Sequence, residues 1–259
     1  MDNRQKNFKI ETPYNSINMC YHDGRLELRS HDKALQSIIN LKKRHRLELK
    51  NLEYLMSVLL FMPPPQRILM LGTAAGSLLH FLGHYYPQAD ITAVDIDAEL
   101  IERLLQMGIL PEAGAALDYV HADAAEFIVQ CEQSYDLILV DIFNGAQSPA
   151  WLLANPVINQ LYGLLTEQGA LACNLLIESD HDFSLFYRSF RQVFGQRCLS
   201  LPVAGLENRI TFGIRAATTA SDMSEYLQKA LALSEKLDFD LMPILAAIYN
   251  TNPVGRGLI

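Results

Sequence analysis

The sequence predicts an α/β fold: a mainly parallel, seven-stranded sheet with helices on each side and an antiparallel hairpin closing one edge. Three observations predict it. Short apolar runs alternate with helical patterns from residue 67 onward. The runs themselves, such as Leu137-Ile138-Leu139-Val140, are apolar at every position, as strands buried on both faces must be. A small-residue turn, Gly72-Thr73-Ala74-Ala75-Gly76-Ser77, follows the first run and opens a helix, and a second run then ends on Asp95. That is the grammar of a βαβ nucleoside site, in which glycines admit the ligand to the backbone and a strand-ending acid accepts ribose hydroxyls.

The elements follow in order. Ile17, Met19 and Tyr21 alternate, Asp23-Gly24 makes a turn, and Arg25 to Arg29 alternate back, which predicts a β-hairpin within the first thirty residues. A lone hairpin is unstable and must pack on something, such as a second subunit. Leu47, Leu52, Leu55, Met56, Leu59 and Leu60 then recur at helical spacing until Pro63-Pro64-Pro65 stops the helix. Strands are expected at 67–71, 91–94, 117–121, 137–141 and 170–176, and helices at 77–86, 98–107, 124–131, 151–165 and 182–194. Residues 197–202 and 209–215 form the closing hairpin, and two amphipathic helices, 221–237 and 240–249, finish the chain. The division is an N-terminal hairpin appendage, 1–46, and one Rossmann-like nucleoside-binding domain, 47–259.

Composition narrows the function classes. Half of the 259 residues are hydrophobic and 19% are charged, which excludes a disordered chain. A formal net charge of −8 argues against nucleic acid as the main partner and suits cationic small substrates. The four cysteines, Cys20, Cys131, Cys173 and Cys198, form no CxxC and no Cys/His cluster, as expected of reduced thiols in a cytoplasmic protein. The polar start implies no signal peptide, and the longest apolar run, 55–65, is too short to span a bilayer, so no membrane partner is expected.

Ligands of parallel sheets bind outside the carboxyl ends of the strands, so the acids found there carry the most information. Asp95 arrives 23 residues after Gly72 and lies outside the helix-cap position, which favours a binding role. Asp97 directly precedes Ala98-Glu99-Leu100 and reads as a helix cap. For Asp123 capping and binding stay equally open. Asp141 is followed by the loop Ile142-Phe143-Asn144-Gly145, so capping explains it poorly and function is favoured. The basic run Lys42-Lys43-Arg44-His45-Arg46 reads as a solvated loop and helix start. His80 and His84 lie four apart without a third ligand, so no metal site is expected, and no serine-hydrolase elbow surrounds Ser77.

In their order and spacing, LKKRHRLELKNLEYLMSVLLFMPPPQRILMLGTAAGSLLHFL, ADITAVDIDAELIE, VHADAAEFI, YDLILVDIFNG, LTEQGALACNLL and ENRITFGI resemble the spermidine-synthase-like (polyamine aminopropyltransferase) branch of the Rossmann-like methyltransferase fold. The resemblance implies a transferase that moves the aminopropyl group of decarboxylated S-adenosylmethionine to an amine in polyamine biosynthesis, with that nucleoside (or S-adenosylmethionine) as co-substrate and no tightly bound cofactor. It places Gly72, Thr73, Ala75 and Gly76 under the sulfur nucleoside, Asp95 on the ribose and Asp123 on the adenine amino group, with Ile96 and Ala124 beside them. Asp141 and Asn144 become the catalytic pair at the gate to the acceptor amine. A homodimer built with the N-terminal hairpin is implied as well.

Departures from the family pattern carry equal information. The glycine turn of the spermidine-making enzymes reads GGGDGG, and its acid is matched here by Ala75. Their D-x-x-D loop becomes Asp141-Ile142-Phe143-Asn144, their tyrosine- and proline-rich acceptor loop is not evident in 201–208, and their Tyr-His-Glu entry is matched only by Tyr54-Leu55-Met56. Aminopropyl transfer needs carboxylates to hold a cationic arm and a dicationic diamine and to take a proton. Losing two of three acids costs several kcal/mol of transition-state stabilisation, about tenfold in rate per ~1.4 kcal/mol. Glu178, with Asp180 or Asp182, is positioned in sequence to compensate. Two other readings stay open: an S-adenosylmethionine-dependent methyltransferase, and a non-catalytic nucleoside-binding paralogue.

Overall fold

In the computed structural model of the chain, residues 6–31, 34–145, 147–215 and 223–252 are described. The first element is an antiparallel sheet of four strands in sequential order, β1 (Lys6–Glu11), β2 (Ser16–His22), β3 (Arg25–Ser30) and β4 (Leu35–Asn40). The expected hairpin is its centre: β2 and β3 pair from Ile17↔Ser30 to His22↔Arg25 across Asp23-Gly24, both at positive φ. The outer strands correct the two-stranded expectation, and the reason is burial. Ile10, Ile17, Met19, Leu26, Leu28 and Ile39 from all four strands are buried in one core, which two strands alone could not form.

The stretch after residue 47 folds as α1 (Lys50–Met56), tightens into a 3-10 turn over Ser57–Phe61, and stops before Pro63. Strands and helices then alternate: β5 (Arg67–Leu71), α2 (Ser77–Tyr85), β6 (Asp90–Asp95), α3 (Ala98–Gln106), β7 (Leu117–His121), α4 (Ala124–Gln130) and β8 (Tyr135–Val140). They are followed by α5 (Asn155–Gly163), β9 (Leu165–Leu175), α6 (Asp180–Phe194), β10 (Cys198–Pro202), β11 (Arg209–Ile214), α7 (Met223–Leu237) and α8 (Met242–Thr251). The expected start of α7 at Ser221 lies outside the described residues.

One helix differs from expectation. The segment 151–165 divides into a 3-10 turn over Ala150–Leu153 and α5, whose second residue is Pro156. A proline lacks the amide and crowds the carbonyl four residues back, so the helix restarts at Asn155. Leu165 belongs to β9 and pairs with Tyr135.

The seven-stranded sheet has the order β10-β11-β9-β8-β5-β6-β7. Pairs among β9, β8, β5, β6 and β7 are parallel, while β11 runs antiparallel to both β9 and β10. Alternate residues serve different layers. Ile68, Met70, Ile91, Ala93, Leu137, Leu139, Ala170 and Ala172 pack with α1, α2, α3, α7, α8 and the N-terminal sheet. Leu69, Leu71, Val94, Ile138, Val140, Leu171, Cys173 and Leu175 pack with α4, α5 and α6. Each buried Leu, Ile or Val contributes about 1.5–3 kcal/mol, so both layers are needed. No helix among the described residues is long and apolar enough to cross a membrane.

Candidate active site

Strand order reverses between β5 and β8, and crevices at such switch points are where ligands enter open α/β sheets. Parity decides which side chains meet there. Gly72, Asp95, Asp141 and Asn174 continue the alternation of Ile68–Met70, Ile91–Ala93, Leu137–Leu139 and Ala170–Ala172. The carboxyl ends therefore deliver two acids and an amide to the face shared with the N-terminal sheet.

Gly72 sits at φ 88° with its amide donating to the Val94 carbonyl at 2.9 Å. A Cβ at this position would lie 2.4 Å from the Asp141 carbonyl oxygen, so the turn passes the β8 end too closely for any side chain. Gly76, at φ 80°, makes the turn into α2, where a Cβ would lie 2.5 Å from Leu110 Cδ2. Between them Thr73 and Ala75 are buried, Ala75 fully and within the apolar core. The position that holds an acid in the family pattern is here part of the packing.

Asp95 is already engaged. Its Oδ2 accepts from both the amide and the hydroxyl of Thr73 at 2.8 Å, and its Oδ1 accepts from the Asp97 amide at 3.0 Å. Ile96 lies between these two acids, and its carbonyl is met by His121 Nε2 at 2.8 Å. Asp97 caps α3, as its sequence position implies, accepting from the Leu100 amide at 3.0 Å. It also accepts from Thr12 Oγ1 at 2.5 Å and Asn15 Nδ2 at 2.6 Å, so the β1–β2 turn is anchored on it. Asp123 caps α4 through its Oδ1, at 2.8 Å from the Ala125 amide, with Ala124 opening that helix. Capping occupies one of its oxygens, and a bond to an adenine amino group would use the other.

Asp141 lies beyond the last residue of β8. Its Oδ1 accepts from Asn174 Nδ2 at 2.8 Å, and Asn174 Oδ1 in turn accepts from Asn208 Nδ2 at 2.9 Å. Burial pushes the Asp141 carboxyl up to about 6, against the opposing pull of the Asn174 bond. Asn144 takes a different place. It lies on an exposed turn, its backbone paired with Gln147, while Ser148 clamps the end of this loop to Leu176. Glu178 is exposed, Asp180 pairs with Arg209 at 3.1 Å, and Asp182 is in the first turn of α6.

The other motifs have structural partners. Arg44 Nη1 donates to the Gly108 carbonyl at 2.5 Å, His80 Nε2 meets the Ile109 carbonyl at 2.7 Å, and His84 stacks on His45 at 3.9 Å. No group of three His, Cys, Asp or Glu side chains among the described residues could hold a metal ion. Sequence reasoning missed Asn174 and Asn208. The available signal was a lone amide in the otherwise apolar run Ala170 to Leu176.

This sheet, with its glycine turn and strand-ending acids, defines an α/β protein of the methyltransferase-like class. The chain belongs to the spermine/spermidine synthase family, whose domain model matches residues 49–197. It is similar to the polyamine aminopropyltransferase of Neisseria meningitidis serogroup A, with 28% identity over 221 residues, 85% of this chain and 84% of that one. Among solved structures, a probable spermidine synthase from Corynebacterium glutamicum superposes with a TM-score of 0.73 at 18% identity, over 97% of each chain. Human methyltransferase-like protein 13 in complex with SAH superposes with a TM-score of 0.61 at 23% identity, over 76% of this chain and 92% of that one.

Proposed function

We propose that this chain is a spermidine-synthase-like transferase that binds decarboxylated S-adenosylmethionine and moves its aminopropyl group to an amine acceptor. The observation that carries this reading is Asp141, an acid at the switch point that Asn174 holds by one oxygen and whose carboxyl is pushed up to about 6 by burial. An ammonium acceptor must lose a proton before its nitrogen can attack. A carboxylate with that affinity for protons takes one near neutral pH more readily than an ordinary aspartate. The nitrogen then bonds to the carbon beside the sulfonium, the carbon–sulfur bond breaks, and its electron pair leaves neutral methylthioadenosine. Asp95 would accept a ribose hydroxyl through the remaining capacity of Oδ1, and Asp123 would accept from the adenine amino group. A homodimer assembled through the N-terminal sheet belongs to the same proposal. The test is incubation with decarboxylated S-adenosylmethionine and a panel of mono- and diamines. Methylthioadenosine release no greater than that of an Asp141→Ala control sinks the reading.

A second reading, S-adenosylmethionine-dependent methyl transfer, is favoured by Ala75, because a donor arm ending in a carboxylate is repelled by an acid in the glycine turn. Calorimetry decides between the two: tighter binding of the decarboxylated donor supports aminopropyl transfer, and preference for S-adenosylmethionine supports the methyltransferase.

A further inference from the structure

Asn174 is completely buried near the end of a strand whose neighbouring residues are apolar. Burying an amide costs about 1–3 kcal/mol unless its polar ends are bonded, so packing alone would be served better by an apolar side chain. Both ends of Asn174 are in use. A carboxylate can only accept, so Asn174 presents its NH2 group to Asp141 Oδ1 at 2.8 Å. Its carbonyl must then face Asn208, which donates at 2.9 Å. The chemistry of the three groups fixes the direction of the whole relay. Asn208 closes the β10–β11 loop, where its carbonyl accepts from the Val203 amide at 2.9 Å, and Lys50 Nζ on α1 ties the same loop down at the Ala204 carbonyl, also at 2.9 Å.

Charged groups on the surrounding elements are engaged elsewhere. Asp95 on β6 bonds Thr73, Asp123 caps α4, Arg209 on β11 pairs with Asp180 and lies over the Phe183 ring, and Glu53 on α1 lies in the field of Arg46 and Lys50. Asn174 is thus the side chain that orients the Asp141 carboxyl, and it does so through one oxygen.

We infer that Asn174 and Asn208 are positioning residues that hold Asp141 by Oδ1 and turn Oδ2 toward the acceptor nitrogen. The inference rests on the aminopropyl-transfer reading for the identity of that nitrogen. The relay also makes the β10–β11 loop a determinant of the state of the gate acid. A donor to a carboxylate favours its charged form, so loss of the relay raises the carboxyl's affinity for protons.

The test compares wild type with Asn174→Leu, which has similar bulk and no donor, and with Asn208→Ala at the half-buried outer end. The Asp141 carboxyl is followed by carbon NMR of aspartate-labelled protein, with Asp141→Asn identifying the signal. In Asn174→Leu its midpoint should rise by about one pH unit, and in Asn208→Ala by a smaller amount in the same direction. The acid limb of the kcat/KM profile should move with it, while the affinity for methylthioadenosine stays unchanged. An unmoved midpoint in both variants overturns the relay, since a purely structural amide would change stability and leave the carboxyl alone. If Asn174→Leu does not fold, Asn208→Ala decides by the same criterion. A wild type that binds methylthioadenosine but turns over no amine removes aminopropyl transfer and with it the acceptor nitrogen that Oδ2 would face. The carboxyl shift then still decides whether Asn174 and Asn208 position Asp141.

Discussion

Replacing Asp141 by asparagine should make this protein more stable at neutral pH and leave it unchanged in acid. The half-buried Asp141 has its carboxyl pKa raised from the ordinary 3.8 to about 6, with loss of solvent around the charged form as the main cause. Between those two values the native state keeps a proton that the unfolded chain has lost. The acid's favourable contribution is therefore complete below pH 3.8 and disappears as pH rises through 6. A span of about two pH units at ~1.36 kcal/mol each makes the charged carboxylate a burden of about 3 kcal/mol at pH 8. At roughly 2–4 °C per kcal/mol for a chain of this size, Asp141→Asn should melt about 6–12 °C above wild type at pH 8. The difference should close toward zero by pH 4. The assay is a series of thermal melts of both proteins from pH 4 to pH 8. A Tm difference that does not change with pH, or a variant that is less stable at pH 8, refutes the reasoning. Such a gain would accompany loss of turnover, as expected where a reactive group is kept in an environment that disfavours its charge.

Other substitutions probe the rest of the site. Thr73 gives its hydroxyl to Asp95 Oδ2 and so holds the carboxylate with Oδ1 left for a ribose, and Thr73→Val should weaken methylthioadenosine binding by about 3- to 10-fold in calorimetry; unchanged or tighter binding contradicts this account. Gly72→Ala sets a methyl group 2.4 Å from the Asp141 carbonyl oxygen and imposes positive φ on alanine. Stability should fall by about 3 kcal/mol or more in urea, and a cost below about 1 kcal/mol would show that the turn can move aside. Asp97→Ala removes a helix cap and strands the donors of Thr12 and Asn15, for a loss of about 3 kcal/mol in the same assay; a loss no larger than that of Thr12→Ala would argue against the shared anchor.

How much of this was legible in the sequence follows from where the constraints lie. Strands 67–71 and 117–121 match β5 and β7 to the residue, β5 because a parallel strand covered on both faces must be apolar between turns, and β7, an edge strand with Asp118 and His121 exposed, because Leu117, Tyr119 and Val120 still supply strand-forming residues to its covered side. The positions of Asp95 and Asp141 could be read from strand ends alone. The outer strands of the N-terminal sheet could not, since β1 has only Phe8 and Ile10 as apolar residues and β4 places Ile38 and Ile39 side by side. Asn174 showed only as a lone amide in an apolar run and Asn208 not at all, because an amide is chosen there by partners 33 and 34 residues away, which local periodicity does not record. Pro156 was in view and would have divided the 151–165 segment.

The carboxylate of Asp97 joins parts of the chain that nothing else about their sequence connects. It holds the first turn of α3 and the β1–β2 turn, while its own amide bonds the acid assigned to the ribose. On the proposed nucleoside reading, occupancy of Asp95 and opening of the N-terminal sheet are linked equilibria. A nucleoside that settles on Asp95 should slow amide hydrogen exchange in β1 and β2, whose connecting turn is held by Asp97. Conversely, a chain shortened to begin after residue 46 should bind methylthioadenosine less tightly, through loss of the Thr12 and Asn15 bonds to Asp97.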